Sequence, residues 1–169
     1  MIENEFLFLG LLAAGPKHGY EIKLQLEEDL GPNIGLQIKS IYYPLAKMES
    51  SGLIEKEIAR REGHFPEKYV YRLTPKGKKK FEALIEQNLL SVERPFFPID
   101  LAFYFLPLTD KNMAKRRLKG RISLLKKVGK ELGDLRRASK TKILSLILQH
   151  DLDLIEAEIN STLKIVDQI

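Results

Sequence analysis

The sequence predicts a mainly α-helical protein with a small β-hairpin, and three observations support this fold class. Apolar residues recur at helical spacing along most of the 169 residues. Two short segments rich in strand-forming residues, at about 53–60 and 68–73, predict one hairpin. Near the C-terminus, two long segments carry apolar residues three and four positions apart, which is typical of helices packed against each other.

The N-terminal part is predicted to hold three helices before the hairpin. The first covers about 3–14 and ends at Gly15-Pro16, which cannot continue it. The second covers about 18–30 and ends at a further Gly-Pro pair. The third covers about 37–51, with an apolar stripe on one side, and Gly52 suits the left-handed position after its last turn.

A fourth helix is predicted after the hairpin. Thr74-Pro75 is a strong start signal, because a capping hydroxyl precedes a proline at the first helical position. This helix reaches about Leu90, and prolines then interrupt the chain between 91 and 98. A short apolar helix is expected over 99–106.

Two long helices complete the predicted chain. The first is capped by Thr109 or Asp110, and the second ends near the C-terminus. Their apolar seams favour an antiparallel pair. These seams are Leu118, Ile122, Leu125, Val128, Leu132 and Leu135, followed by Leu148, Leu152, Ile155, Ile159, Leu163 and Val166.

This order of elements defines the expected domain organisation. Helices followed by a hairpin predict a winged helix-turn-helix domain over 1–90, whose third helix would read a DNA groove. Residues 91–108 form a joint with a short apolar helix. Residues 109–169 form a C-terminal antiparallel helical region, which we expect to mediate dimerisation.

The charge of the chain is unevenly distributed. The net charge is +5, yet residues 1–90 hold 13 basic and 13 acidic side chains. Residues 111–142 hold 13 basic and two acidic side chains, a net charge of +11, whereas 143–169 carries −4. The basic and the acidic helix are therefore expected to be partners, either in a hairpin or across a dimer. Too many positive charges remain for all of them to be paired, and the others would extend the DNA-binding surface or simply be exposed.

Several functional classes find no support. The chain has no cysteine, which excludes disulfides and thiolate chemistry and is compatible with a reducing cytoplasm. Its three histidines lack metal-ligand spacing, and no nucleotide-binding or serine-nucleophile motif occurs. We expect no enzyme activity, cofactor or metal. The N-terminus resembles no signal peptide and no segment could span a membrane, so a cytoplasmic protein is expected.

An ordered series of motifs resembles the PadR family of transcriptional regulators. His18-Gly19-Tyr20-Glu21-Ile22 is similar to the opening of the family's second helix. Ser40-Ile41-Tyr42-Tyr43, followed by Leu45, Met48, Glu49, Gly52, Leu53 and Ile54, is similar to its recognition helix and exit, and Pro66, Lys68, Tyr71, Leu73, Thr74 and Gly77 to its wing and next helix. The resemblance implies a homodimer with a variable helical C-terminal region. Two residues depart from the family pattern. Lys39 adds a positive charge on the recognition helix, and Glu67 adds a negative charge to a wing that is usually more basic.

Two groups of residues are candidates for contact with double-stranded DNA. Glutamine can read adenine, while lysines and hydroxyls mainly hold phosphates. On the recognition helix the candidates are Gln37, Lys39, Ser40, Tyr42, Tyr43 and Lys47, and in the wing they are Arg60, Arg61, His64 and Lys68. The alternatives are that at least one of the adjacent tyrosines packs inward and that the basic wing residues are only solvated.

An aromatic cluster is predicted at the joint between the domains. It comprises Phe96, Phe97, Phe103, Tyr104 and Phe105. Such a cluster is expected to pack in the dimer interface, and the alternative is a site for a small aromatic or cationic effector.

Together these features predict a sequence-specific transcriptional regulator, most simply a repressor. It would bind an inverted-repeat operator as a homodimer, and a small effector would release it. The alternative is a winged-helix module for protein interaction, which the neutral charge of residues 1–90 favours.

Overall fold

The structure, a computed structural model, describes residues 4–31, 40–59, 68–92 and 97–169. The chain divides into two compact units, Met1–Glu93 and Arg94–Ile169. We call them the N-terminal unit and the C-terminal unit.

In its described residues, the N-terminal unit contains four helices and a small sheet. The helices are α1 (Asn4–Ala13), α2 (Gly19–Leu24), α3 (Tyr42–Ser50) and α4 (Pro75–Leu90), and α2 continues as a π-helical segment, Gln25–Leu30. The strands are β1 (Lys17–His18), β2 (Ile54–Ala59) and β3 (Lys68–Leu73). The predicted fold class, mainly α-helical with a small β-hairpin, is confirmed.

The sheet has three strands rather than the two of the predicted hairpin. Its order is β1-β3-β2, and both pairings are antiparallel. In the predicted hairpin Ile54 lies opposite Leu73, and in the added pairing Lys17 lies opposite Tyr71. A two-residue strand is too short to produce an alternating pattern, so β1 could not be predicted from the sequence.

The core of the N-terminal unit explains its layout. Helix α1 packs against α3, α4 and β3. Phe8, Leu9, Ile22, Leu45 and Ile54 are almost completely buried in this core. The stripe predicted on the third helix thus lies inside the protein, which leaves the opposite face of α3 to solvent.

Helix α3 begins later than the sequence predicted. It starts at Tyr42 rather than near Gln37, and Pro44 is its third residue. The first four N–H groups of a helix have no partner within it, so a proline costs little there. In a helix that began at Gln37, the same proline would interrupt the hydrogen-bond ladder.

The described part of the C-terminal unit, residues 97–169, consists of three helices. They are α5 (Pro98–Phe105), which runs into a 3-10 turn at Leu106–Leu108, α6 (Lys111–Ala138) and α7 (Lys142–Gln168). Asp110 caps α6 through a 2.8 Å bond from the Met113 amide. Helices α6 and α7 pack along each other, with Leu118, Ile122, Leu148 and Val166 buried.

Candidate DNA-binding surface

One face of helix α3 is polar and exposed to solvent, and the opposite face is buried in the core. Pro44, Leu45 and Met48 are buried, whereas Lys47 is exposed, as is Ser40, which precedes the helix. Both faces follow from the helical period, because residues three and four apart share a side. Gln37 and Lys39, the other candidates predicted here, lie outside the described residues.

Tyr42 and Tyr43 both point away from the core. Their side chains are 68% and 75% exposed. The alternative in which at least one of them packs inward is therefore wrong. Pro44 and Leu45 already occupy the inner face of the first turn, so both phenol groups are available to a partner.

The end of α3 is fixed by a compact hydrogen-bonded turn. Gly52 has a φ of 68°, and its amide donates to the Glu49 carbonyl at 2.9 Å. The Leu53 amide donates to the Met48 carbonyl at 2.9 Å. These two bonds form a Schellman motif, which stops the helix and directs the chain into β2.

The start of α4 is anchored to this same turn. The Thr74 hydroxyl donates to the Gly52 carbonyl at 2.7 Å and accepts a bond from the Gly77 amide. Lys76 donates to the Ser51 carbonyl at 2.8 Å. Together these bonds hold α3 in a fixed position on the sheet and on α4.

The four lysines that open α4 have different surroundings. Lys76 is bonded to the end of α3, and Lys80 lies 3.6 Å from the Glu5 carboxylate. Lys78 and Lys79 are exposed. Half of this cluster thus takes part in interactions within the fold.

The hairpin is described only at its base. Arg60, Arg61 and His64 lie outside the described residues, and Lys68 is the first residue of β3, paired with Ala59. On the described strands Arg72 contacts Glu57 at 2.9 Å and Glu55 at 3.7 Å. Charge at the base of the hairpin is therefore largely balanced.

A tyrosine-lined pocket lies beside the start of α3. It has a volume of about 460 Å³ and is lined by His18, Gly19, Tyr20, Glu21, Tyr42, Tyr69 and Tyr71. Burial raises the pKa of Tyr71, with further contributions from Glu49 and Tyr42, so its phenol stays neutral at ordinary pH. The alternation of Tyr69 and Tyr71 places them on one face of β3, but their meeting with Tyr20 and Tyr42 depends on the tertiary fold.

The predicted aromatic cluster belongs, in its described part, to the C-terminal unit. Phe103 is half-buried and packs against the core of this unit. Phe97, Tyr104 and Phe105 are exposed, and the last two rings meet edge to face with centroids 5.1 Å apart. Phe96 lies outside the described residues.

The basic helix α6 is mostly free of acidic partners from α7. Arg121 and Glu158 form an ion pair between the two helices, and Arg136 bonds to Gln149 at 2.5 Å. Most other basic side chains of α6 are exposed. In the described residues, one ion pair therefore joins α6 to α7.

The described parts of the chain contain neither a candidate metal centre nor a candidate membrane-spanning helix. No group of three or more His, Asp or Glu side chains there could hold a metal ion. No helix there is long and apolar enough to cross a membrane.

Residues 8–83 match the model of the transcriptional regulator PadR-like family. This match confirms the resemblance indicated by the N-terminal motifs. The family comprises transcriptional regulators, in agreement with the expectation that the chain is not an enzyme. No curated protein matches the chain.

Several solved structures share the fold. Bacillus subtilis PadR in complex with operator DNA is 20% identical, with a TM-score of 0.78 and 97% of each chain covered. The complex of the same protein with p-coumaric acid is 21% identical, with a TM-score of 0.79 over 97% of this chain and 96% of that one. The Vibrio cholerae virulence activator AphA is 17% identical, with a TM-score of 0.70 over 97% and 96%.

Proposed function

We propose that the chain, whose residues 8–83 carry the PadR-like domain of transcriptional regulators, binds an inverted-repeat operator as a homodimer and represses transcription. The observation that carries this proposal is the exposed face of α3. Tyr42, Tyr43 and Lys47 project from a helix whose other side is fixed in the core. A recognition helix needs this combination, because it must enter the major groove without deforming.

The proposed roles of the individual residues follow from their chemistry. Gln37 would read a base edge, while Lys39, Ser40, Tyr42, Tyr43 and Lys47 would hold phosphates or position the helix. Arg60, Arg61, His64 and Lys68 would contact the adjacent minor groove or backbone. We assign the DNA-binding role to residues 1–90.

Apolar surface in the C-terminal unit supports a homodimer. Leu124 of α6 is 67% exposed, and Ile143, Leu146 and Leu154 of α7 are also exposed. These side chains lie outside the seam that α6 and α7 share. Burial of this surface against a second copy would remove it from water and place two recognition helices on one DNA duplex.

A small effector is the proposed signal for release from DNA. Bacillus subtilis PadR has been crystallised in complex with operator DNA and, in a separate structure, in complex with p-coumaric acid. In this chain, Phe97, Phe103, Tyr104 and Phe105 offer aromatic surface for either the dimer interface or such a ligand. As a regulator of transcription, the protein would act in the cytoplasm.

Selection from a random duplex pool at two salt concentrations tests the proposal. A palindromic consensus with half-sites roughly 34 Å apart and a steep loss of binding at high salt is expected. Binding without a consensus would indicate non-specific DNA binding instead of recognition of one operator sequence. Absence of binding, both with and without candidate phenolic ligands, would favour the protein-interaction module.

A further inference from the structure

Four of the six tyrosines of the chain meet around one pocket of the N-terminal unit. The pocket volume of about 460 Å³ is in the range of small-molecule sites. Tyr20 and Tyr42 lie at its exposed rim, and Tyr71 is buried. Glu21 adds the pocket's acidic side chain.

Separate elements bring these groups together. Tyr20 follows the first residue of α2, and Tyr42 is the first residue of α3. Tyr69 and Tyr71 stand two residues apart on β3 and so share a face of the sheet. The Glu21 carboxylate is held in place because it accepts a 2.6 Å bond from the His18 amide.

The chemistry of this lining suits a positive charge. The face of a tyrosine ring is electron-rich and attracts cations, and a carboxylate adds a full negative charge. Neither lysine nor arginine is among the described residues that line the pocket. One such cation–π contact exists at the pocket lining, where the Lys56 ammonium lies 3.9 Å from the centroid of the Tyr69 ring.

We propose that this pocket binds a small organic cation, such as a quaternary ammonium or a protonated amine. The bound cation would contact the rings of Tyr20 and Tyr42 and lie near the Glu21 carboxylate. Because Tyr42 also opens α3, an occupied pocket would hinder approach of DNA to the recognition helix. This second consequence rests on the proposed DNA-binding function, whereas cation binding does not.

Choline and its neutral isostere 3,3-dimethylbutanol provide a direct test without DNA. The chain has no tryptophan, so its intrinsic fluorescence comes from six tyrosines, four of which line the pocket. Titration of the full chain with choline at constant ionic strength is expected to saturate with a Kd in about the millimolar range. The isostere should bind at least about fivefold more weakly, since it lacks the charge.

Variants connect the response to the pocket. Tyr20→Phe keeps the ring and should keep binding, whereas Tyr20→Leu should weaken it about three- to tenfold. Lys56→Gln should tighten binding, because it removes a competing ammonium from the Tyr69 ring. Tyr104→Leu tests the rival location, because it removes an exposed ring from the aromatic cluster of the C-terminal unit. Binding that is unchanged in this variant and weakened in Tyr20→Leu places the cation in the tyrosine pocket.

Four results would overturn the proposal. They are the absence of saturable binding, equal binding of choline and its isostere, loss of binding in Tyr104→Leu instead of Tyr20→Leu, and a stronger response to inorganic phosphate than to choline. If choline binds as expected, it should also weaken DNA binding by the unmodified chain more than by Tyr20→Leu. If choline binds but does not weaken DNA binding, the cation site is supported and its proposed effect on DNA binding is disproved.

Discussion

Gly77 lies so close to Leu53 that a Cβ atom built on the glycine would stand 1.9 Å from the Leu53 carbonyl oxygen. The same carbonyl accepts a 3.1 Å bond from the Thr74 amide. The first turn of α4 therefore rests directly on the backbone that leaves α3. This contact couples the position of α3, the proposed recognition helix, to α4.

Gly77→Ala is expected to destabilise the N-terminal unit by about 3 kcal/mol, because backbone must move to admit the methyl group. Chemical denaturation monitored by circular dichroism measures the change. Gly120→Ala is the matched control, since no atom other than those of its chain neighbours and its own helix backbone lies within 4 Å of the added Cβ on this α6 glycine. It should be neutral or slightly stabilising, as alanine favours helix. Equal effects of the two substitutions would show that the contact with Leu53 is unimportant.

Local signals in the sequence predicted much of this region. Thr74 caps α4 and Gly52 ends α3, as their residue types indicated. The contact between Gly77 and Leu53 was not predictable, because it joins residues 24 positions apart through the tertiary fold. The π-helical end of α2 was also missed, since its apolar residues keep the spacing expected of an ordinary helix.

Only part of the candidate site could be predicted, because local patterns in a sequence do not show which distant residues meet in the fold. The exposed face of α3 follows from helical periodicity, so Tyr43 and Lys47 could be identified without a structure. The tyrosine pocket could not, because it needs the start of α2, the start of α3 and β3 to meet. Periodicity also could not decide whether Tyr42 packs inward, which depends on the direction in which α3 crosses the core.

Tyr71 gives the stability of the N-terminal unit a dependence on alkaline pH. Its pKa is raised above the usual value of 10.0, first by burial, so the fold favours the neutral phenol. This contribution is complete below the unfolded pKa of about 10 and is lost as the pH rises through the folded value. Urea unfolding from about pH 8 to about pH 11 should show a smaller loss of stability in Tyr71→Phe than in the unmodified chain. Tyr104→Phe, at an exposed ring, should retain the full loss.

Lys47→Gln should weaken binding to all duplexes and reduce the slope of log K against log salt by about one. The reason is that an exposed lysine on α3 would contribute one phosphate contact. Fluorescence anisotropy over a salt series measures this slope. Lys164→Gln, which removes one charge from an exposed lysine of α7, is the control for net charge. An equal change of slope in both variants would mean that Lys47 acts only through the overall charge.

Gln37→Ala should relax the preference at one base of each half-site by about 1–3 kcal/mol. A residue that reads a base edge affects sequences unequally, whereas a phosphate contact affects them all alike. Binding to the selected consensus and to its single-base variants separates these effects. A uniform loss across all the duplexes would remove Gln37 from the base-reading residues.

Leu154→Asp should give a folded monomer, because Leu154 is 51% exposed on α7 and would lie in the proposed dimer interface. Leu148→Ala should instead lower stability by about 2–5 kcal/mol, since Leu148 is completely buried within the subunit. Sedimentation velocity and thermal unfolding together distinguish the two outcomes.

Deletion of residues 139–169 should combine both effects, because it removes α7 and exposes the buried face of α6. A dimer that survives both the substitution at Leu154 and this deletion would place the interface in the N-terminal unit.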